Sequence, residues 1–358
     1  MSLPGKVRFL RTAESSRLYF REGIVSLSGK MRFLRIGAAI FGFLVLMVVF
    51  FISCRRSGKA SQQPVTIVFG ACSGSQEVYQ KEIIPTFQDY WLKKAGQKVE
   101  FKEFYTGSGL QVQAIIAGFE ADVVALALGG HIKMLEEAGL VTHSWRSQAH
   151  RGIVARSVVA FGLREGNPKD IFTWEGLTHQ GVHIIHADPK TSGTAQWVMK
   201  AIYGAGLKLS EGTSEHKQLR QARYFLKEVE KRVMLMDRTI RAASHTFNRG
   251  TGDVLISSEH EIKLQQRLGR PIEMIIPVPT ILIEHPVALV DKNVDKHGRR
   301  QVVEAFVKFL WTRKAQEAFA GYGFRSVDNR VFEKYAVYFS KLQQVFDTEY
   351  LAGWEIGR

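Results

Sequence analysis

The sequence predicts an α/β protein of two lobes, each a mainly parallel β-sheet flanked by helices. Segments rich in β-branched residues alternate with helix-periodic segments from residue 65 onward, as in chains of repeated βα units. Residues 122–128 (DVVALAL) form an almost unbroken apolar run, which is typical of a strand buried on both faces of a parallel sheet. About 300 residues follow the N-terminal segment, more than one core comfortably holds, so two lobes are expected.

The individual elements follow from local patterns of apolar residues. Short β-rich runs predict strands at 65–69, 99–104, 122–128, 154–163, 182–186, 254–256, 274–276 and 287–290. Helical spacing predicts helices at 77–95, 110–119, 195–203, 215–232, 261–268, 301–311 and 315–322. In the first helix, Ile83, Ile84, Phe87 and Trp91 share one apolar face.

Composition and charge limit the class of protein. Hydrophobic residues make up 45% of the 358 residues and charged residues 23%, which excludes a disordered, collagen-like or coiled-coil chain. The net charge of +15 favours an anionic partner, namely nucleic acid, a membrane surface or a small anion. The arginine-rich stretches lack the interleaved aromatic residues of a single-strand nucleic-acid platform. Two cysteines cannot build a disulfide framework.

Residues 1–54 are predicted to be a leader that exports or anchors the chain. Residues 36–52 form an uncharged apolar run of 17 residues, at the lower limit for crossing a bilayer about 30 Å thick. Arg32 and Arg35 precede it as in a signal peptide, and positive charge kept inside sends the following chain outward. A small residue before Cys54 resembles a bacterial lipoprotein signal, so Cys54 is the predicted lipidation site. The alternatives are an uncleaved anchor helix and a buried core helix.

Two further features concern the limits of this leader. Residues 1–11 and 25–35 are near-repeats, and because the charged part of a signal is usually short, Met31 is an alternative translation start. Residues 55–64 are polar and include a glycine and a proline, which predicts a tether.

Four polar turns of small residues are predicted between a strand and a helix, at 71–75, 106–109, 190–194 and 242–244. The first N–H groups of a helix have no partner within the helix, and its N-terminus carries about half a positive charge. Glycine lets a backbone N–H approach a ligand closely, and serine adds a hydroxyl donor. Several such turns directed at one point would bind an anion without a lysine, although each alone also suits a plain helix cap.

Signatures of catalysis are missing from the sequence. It has no GxSxG elbow, HExxH pair, Walker loop or GxGxxG motif, and we predict no metal and no cofactor. Residues 259–261 (EHE) are the densest titratable cluster, and their position at the start of a predicted helix indicates a solvated face. Cys72 is predicted to be a small buried residue.

At these turns the sequence resembles the bacterial sulfate- and thiosulfate-binding proteins of ABC importers. The matching stretches run in family order and include YTGSGLQ (105–111), EADVVALAL (120–128), ADPKTSGTAQW (187–197), TFNRGTGDVLIS (246–257) and HPVALVDKNV (285–294). PKTSG and EADVV…LAL are specific to this family.

The resemblance implies a two-lobed periplasmic binding protein of type II, which closes on its ligand like a hinge. Residues 65–152 with 285–335 would form lobe 1, and residues 153–284 lobe 2. The C-terminal segment 336–358 is not assigned to either lobe.

The resemblance also implies an oxyanion held by uncharged donors at helix starts. Carried over residue by residue, Ser108 supplies a backbone N–H, Ser192 its hydroxyl, and Gly193 and Thr194 further backbone N–H groups. Ile240 aligns with another backbone donor, and Arg241 matches a family arginine behind the site.

Three positions depart from the family pattern. Ser73 stands where sulfate-binding members commonly have Asp, and Gln196 stands where many have Arg. Ser258 stands where sulfate-binding members have a Trp whose indole N–H meets the anion. Ser73 and Ser258 are therefore predicted site residues, and the departures leave open whether sulfate is the sole ligand.

We therefore expect an exported, monomeric, lipid-anchored solute-binding protein that delivers sulfate or thiosulfate to ABC permease subunits. It would bind no nucleic acid, perform no catalysis and lie in the periplasm or otherwise outside the cytoplasm. Another tetrahedral oxyanion, such as molybdate, tungstate or phosphate, is the alternative ligand. A membrane-anchored hydrolase is the alternative from another class, and it would need a base beside a nucleophile.

Overall fold

The computed structural model of the protein describes residues 62–351. The predicted leader lies outside these residues, with its apolar run 36–52, the alternative start Met31 and the lipidation site Cys54. Most of the tether and the last residues of the C-terminal segment also lie outside them. Within residues 62–351, no helix is long and apolar enough to cross a bilayer.

Ten strands form one curled sheet across the described residues. In spatial order the main path is β2-β1-β3-β9-β4-β7-β5-β6, with β8 beside β4 and β10 beside β9. The strands are β1 (Gln62–Cys72), β2 (Gln97–Thr106), β3 (Val123–Ala125), β4 (Ile153–Arg164), β5 (Ile184–Ala187), β6 (Val233–Asp237), β7 (Val254–Ser258), β8 (Ile272–Ile275), β9 (Thr280–Leu289) and β10 (Val345–Phe346).

Helices connect these strands. A helical segment runs through Gln76–Val78 and a π-helical turn, Tyr79–Ile83, into the first long helix. The helices are α1 (Ile84–Ala95), α2 (Ser108–Ile116), α3 (Gly129–Glu137), α4 (Gly193–Leu209), α5 (Glu215–Glu230), α6 (Ile240–Asn248), α7 (Glu259–Arg267), α8 (Asp291–His297), α9 (Arg300–Phe309), α10 (Arg313–Gly321) and α11 (Asn329–Tyr335).

Two groups of parallel strands are joined by a long antiparallel pair, β4 and β9. Strand β1 runs parallel to β2 and β3, and β5 runs parallel to β6 and β7. The first half of β4 pairs with β9, where Ser157 lies opposite Ile283, and its second half pairs with β7, where Phe161 lies opposite Ile256. The parallel groups confirm the predicted α/β class, whereas the sequence did not predict the antiparallel pair that joins them.

The side chains pack into two large hydrophobic cores. The first core is centred on Phe69, Phe87 and Phe306, and the Phe306 ring lies edge-on to those of Phe69 and Phe87 at 5.5 and 5.1 Å. The second core contains Phe161 and Trp174, together with Phe346 and Leu351 from the end of the chain. Burying one such aromatic or aliphatic side chain contributes about 1.5–3 kcal/mol, so these cores fix the positions of the strand ends.

Several elements differ from the sequence prediction. The strand predicted at 122–128 covers only Val123–Ala125, because the chain then leaves the sheet to begin α3. Helices α3, α6, α8 and α11 were not predicted. The turn predicted at 242–244 is wrong, because these residues lie within α6, which begins at Ile240.

Buried histidines make the stability of this fold depend on pH. His285 on β9 is 4% exposed, and its ring lies 5.1 Å from the ring of His260 and 5.2 Å from that of Phe324. Burial lowers the pKa of His285 to about 3. In the unfolded chain a histidine has a pKa of about 6.5, so below that pH the unfolded state binds a proton that the folded state does not.

We predict that His285→Phe reduces the loss of stability on acidification. For the wild type, each such histidine lowers the unfolding free energy by up to about 1.4 kcal/mol per pH unit below about pH 6.5. Urea unfolding of both proteins at pH 7, 6 and 5 measures the slopes. Identical slopes would show that His285 does not contribute to this linkage.

Candidate functional site

The first predicted turn joins β1 to the helical segment at 76–78. Ser73–Ser75 form a single 3-10 turn that is buried, with Ser73 7% exposed. The Ser75 hydroxyl donates to the Cys72 carbonyl at 2.8 Å, so it is used within its own turn. A Cβ placed on Gly74 would lie 2.6 Å from Ile240 Cδ1, and the turn therefore packs directly against the start of α6. Cys72 is buried, as predicted.

The second and third predicted turns meet each other through backbone hydrogen bonds. At the start of α2, the N–H groups of Gly109 and Leu110 donate to the Thr191 carbonyl at 3.0 and 3.3 Å. A Cβ on Gly107 would overlap this same carbonyl oxygen. The two turns are 82 residues apart in sequence (109 to 191) and touch only because the fold brings α2 to α4.

Both helix starts in this contact present buried serines. Ser192 caps α4, where its Oγ accepts a hydrogen bond from Ala195 N–H at 3.3 Å. Ser108 is the first residue of α2, and its Oγ accepts from Ala127 N–H at 3.0 Å. Each serine uses its oxygen as an acceptor, which leaves the hydroxyl proton for another partner. Gly193 lies beside Ser108, since a Cβ on Gly193 would be 3.2 Å from Ser108 Cβ.

The start of α6 completes the group. Thr239 caps this helix by accepting from Ala242 N–H at 3.1 Å, and Ile240 is the first helical residue. The Ile240 side chain packs with Ala187 and Ala195, next to the start of α4. The structure thus joins four helix starts in a chain of contacts: the turn at Ser73 packs on Ile240, Ile240 on the start of α4, and the start of α4 on Ser108.

This arrangement can bind an anion with neutral groups. The N-terminal N–H groups of α2, α4 and α6 carry partial positive charge, and their serine and glycine residues allow close approach of a ligand. Ser108, Ser192 and Thr194 are each no more than 3% exposed. Hydrogen bonds are stronger electrostatically in such a buried setting than in water.

The guanidinium of Arg241 is held between two carboxylates. It forms charge-assisted hydrogen bonds with Glu77, one of them at 2.9 Å, and with Glu261 at 2.9 and 3.1 Å. Burial lowers the pKa of Arg241, but the Glu261 and Glu77 carboxylates outweigh burial and raise it above the ordinary value. Glu77 follows the first turn and Glu261 lies on α7, so Arg241 ties three elements together. We infer that it positions the site rather than contacting a ligand.

The prediction of a solvated face at 259–261 is wrong. Glu259, His260 and Glu261 are each at most 1% exposed, because the start of α7 is covered by neighbouring elements. Arg325 binds Glu259 with hydrogen bonds of 2.7 and 3.2 Å. The two carboxylates are thus paired with arginines, as buried charges require.

Ser258 is fully buried and lies beside His260. The Ser258 Oγ is 3.3 Å from His260 Nε2, and the His260 Nδ1 is 3.1 Å from Ser157 Oγ. Burial, with His285 and Arg241, lowers the pKa of His260 well below its ordinary value. A serine and a histidine are therefore adjacent, but the His260 ring is a weak base. Its Nδ1 also faces the Ser157 hydroxyl, whereas the histidine of a hydrolase faces an orienting carboxylate. This pair therefore does not favour the hydrolase alternative.

Sequence reasoning missed Glu77, His131 and His260 in this region. A Cβ on Gly193 would be 3.2 Å from His131 Nδ1, and one on Gly74 would be 3.0 Å from His260 Nε2. The local signals were the titratable cluster at 259–261, which was predicted to be solvated, and the Gly-Gly pair before His131, which is typical of a turn. Among residues 62–351, no group of three His, Cys, Asp or Glu side chains is arranged to hold a metal.

Comparisons with known proteins agree with one another. The family of bacterial extracellular solute-binding proteins matches residues 69–325. A sulfate-binding protein of Synechococcus elongatus is 41% identical over 302 residues, which cover 84% of this chain and 84% of that protein. A thiosulfate-binding protein of Escherichia coli K12 is 35% identical over 256 residues, covering 70% of this chain and 74% of that protein.

One solved protein structure is similar to this chain along most of its own length. The sulfate-binding protein SubI from Mycobacterium tuberculosis superimposes with a TM-score of 0.73 at 30% identity, covering 81% of this chain and 96% of that chain. These relatives are solute-binding proteins, and the similarity extends over the helix starts described above. The chain belongs to the sulfate- and thiosulfate-binding family of bacterial extracellular solute-binding proteins.

Proposed function

We propose that this protein captures sulfate or thiosulfate in a cleft between two lobes and delivers it to the permease of an ABC importer. Lobe 1 would comprise residues 65–152 and 285–335, and lobe 2 residues 153–284. The observation that carries the proposal is the contact between the four uncharged helix starts. Ser73, Ser108, Ser192, Gly193, Thr194 and Ile240 would supply the donors around one anion, and Arg241 would hold their positions.

The donor set favours a fully deprotonated anion. Sulfate and thiosulfate carry no proton at neutral pH, whereas phosphate keeps at least one, which needs an acceptor in the closed cleft. Glu77 and Glu261 are two carboxylates beside the site, and both are engaged by Arg241. A buried donor without a partner costs about 1–3 kcal/mol, so phosphate should bind much more weakly.

Ser258 bears on the choice between sulfate and thiosulfate. Serine is far smaller than the Trp of the sulfate-binding pattern, and its hydroxyl can donate or accept. A recessed wall gives room for the long S–S bond of thiosulfate, whose outer sulfur is a weak acceptor. Sulfate would need a water in place of the indole N–H, at an entropic cost of about 0–2 kcal/mol. Thiosulfate should therefore bind at least as tightly as sulfate.

Calorimetry with sulfate, thiosulfate, molybdate, tungstate and phosphate tests the proposed function. Sulfate and thiosulfate should bind, phosphate should compete poorly, and the bound anion should raise the melting temperature by mass action. Preference for molybdate or tungstate would favour the alternative ligand class. Absence of binding by every anion at millimolar concentration would reject the proposal.

The biological setting forms the second part of the proposal. The protein would act outside the cytoplasm as a monomer, without catalysis or cofactor, and would be held at the membrane by lipid on Cys54. Its partners would be the anion, the permease subunits and the membrane, and it would bind no nucleic acid. The apolar run 36–52 and Cys54 of the leader support the location and the anchor.

We predict that a labelled fatty acid is incorporated at Cys54. Metabolic labelling of cells that express the wild type should mark the protein, and Cys54→Ser should remove the label because the thiol that carries the lipid is lost. Absence of label from the wild type would favour an uncleaved anchor helix, and label retained in Cys54→Ser would show that the lipid is not on Cys54.

We predict that Ser192→Ala weakens oxyanion binding by ten- to a hundredfold. A hydrogen bond to a charged group contributes about 1.5–3 kcal/mol, and the hydroxyl proton of Ser192 is available to a ligand. Ser75→Ala should change affinity little, because the Ser75 hydroxyl donates to Cys72. Calorimetry with sulfate measures both.

Loss of the helix cap alone requires its own control. Thr312 caps α10, where its Oγ1 accepts from Ala315 N–H at 3.4 Å, and it is not among the helix starts of the site. Thr312→Ala removes a comparable cap, worth about 1 kcal/mol of stability, and should leave affinity unchanged. If Ser192→Ala binds like Thr312→Ala, Ser192 is not a ligand-binding residue.

We predict that Gly107→Ala weakens binding by hindering closure. A methyl group on residue 107 meets the Thr191 carbonyl, which belongs to the other proposed lobe. The ligand-free protein should keep its stability, because an open cleft relieves the overlap, while sulfate affinity falls more than tenfold. Gly321→Ala is the matched control, since a Cβ there has no neighbour within 4 Å. Equal affinities in the two variants would contradict the closure interpretation.

A further inference from the structure

His131, which was not a predicted site residue, is a buried histidine beside the helix starts. It lies in the first turn of α3 and is 4% exposed. Burial, together with the nearby Lys200, lowers the pKa of His131 to about 4. The ring is therefore neutral at physiological pH, with one nitrogen that donates and one that accepts.

Gln196 determines which nitrogen donates. Its side-chain Nε2 donates to the Pro189 carbonyl at 3.1 Å, which fixes the orientation of the amide. The same Nε2 lies 3.4 Å from His131 Nε2. Because an amide nitrogen only donates, His131 Nε2 accepts this bond, and the ring proton resides on Nδ1.

The protonated nitrogen faces the site and has no partner among the described residues. His131 Nδ1 is buried without a hydrogen bond. It would lie 3.2 Å from a Cβ on Gly193, the point that is also 3.2 Å from Ser108 Cβ. A buried N–H without an acceptor is costly, and an anion beside the starts of α2 and α4 would supply the acceptor.

We propose that the Nδ1–H of His131 is a further donor to the bound oxyanion. The inference rests on the proposed function, since it names one more residue of the same site. The donor adds a directed hydrogen bond without a charge, as the serine hydroxyls and backbone N–H groups do. Gln196 is then a positioning residue, which acts by holding the tautomer of His131.

Two substitutions of His131 distinguish loss of the Nδ1–H donor from loss of the aromatic ring. His131→Phe keeps an aromatic ring and removes the donor, and it should weaken sulfate and thiosulfate binding ten- to a hundredfold in calorimetry. His131→Asn places an amide nitrogen near the position of Nδ1 and should bind within about threefold of the wild type. His143→Asn is the control. The Nδ1 of His143 lies 2.6 Å from Asp291 Oδ2, so this substitution should leave the affinity for the anion unchanged.

A nuclear magnetic resonance titration of the wild type measures the Nδ1 proton of His131 directly. Its chemical shift would not respond to the anion if His131 had only a structural role. With ¹⁵N-labelled histidine, the Nδ1 proton of His131 should shift downfield as sulfate saturates the site. Equal affinities of His131→Phe and the wild type, equal losses in both His131 variants, or an unchanged Nδ1 proton would overturn the proposal. If the wild type binds no oxyanion at all, the proposed function fails, and this inference fails with it.

Discussion

The antiparallel pair of β4 and β9 is the constraint on which the rest of the structure depends. The first half of each strand pairs with the other strand, and its second half pairs with one of the parallel groups. Side-chain hydrogen bonds reinforce the pair. Gln316 of α10 donates to the Val154 carbonyl at 2.8 Å, and Thr280 of β9 donates to the Val159 carbonyl of β4 at 2.8 Å. Because two strands belong to both halves, the ends of the parallel strands face each other, and the helices that follow those strands start at one place.

Convergence of helix starts explains how a site with few free charges suits an anion. Partial charges at several helix N-termini act together, and a buried environment strengthens them by excluding water. A lysine would hold an anion mainly as a point charge, with less geometric selection. Arg241, at the start of α6, is neutralised by Glu77 and Glu261. Its role is to join the first turn, α6 and α7, so the donors keep their positions.

Two neutral histidines lie in the same region and can form directed hydrogen bonds without carrying a charge. His131 and His260 are both kept neutral by burial, which lowers the pKa of each. Neutral imidazole has one donor and one acceptor, so its neighbours decide where the proton lies. For His131 the neighbour is Gln196, and its Nδ1 is directed toward Gly193. For His260 the hydroxyls of Ser157 and Ser258 contact the two ring nitrogens, and its Nε2 also lies beside the turn containing Gly74.

The sequence by itself determined most of the longer elements and the local chemistry of the turns at Ser108 and Ser192. Helix caps and glycine turns depend on neighbours within four residues, so the starts at Ser108 and Ser192 were predictable. Strand and helix periods likewise revealed the α/β class. The predicted turn at 242–244 failed because a short strand, β6, with exposed apolar residues gave no clear boundary before α6.

Only the tertiary structure decided which turns meet and which charges are buried. The contact of Gly109 with Thr191 depends on the sheet order, which local patterns do not encode. The same holds for Glu259 and Glu261, whose polarity indicated solvent although Arg325 and Arg241 pair with them in the interior. The physical reason is common to both cases: burial and long-range hydrogen bonds arise from packing between distant segments, whereas sequence patterns report mainly on interactions within one element.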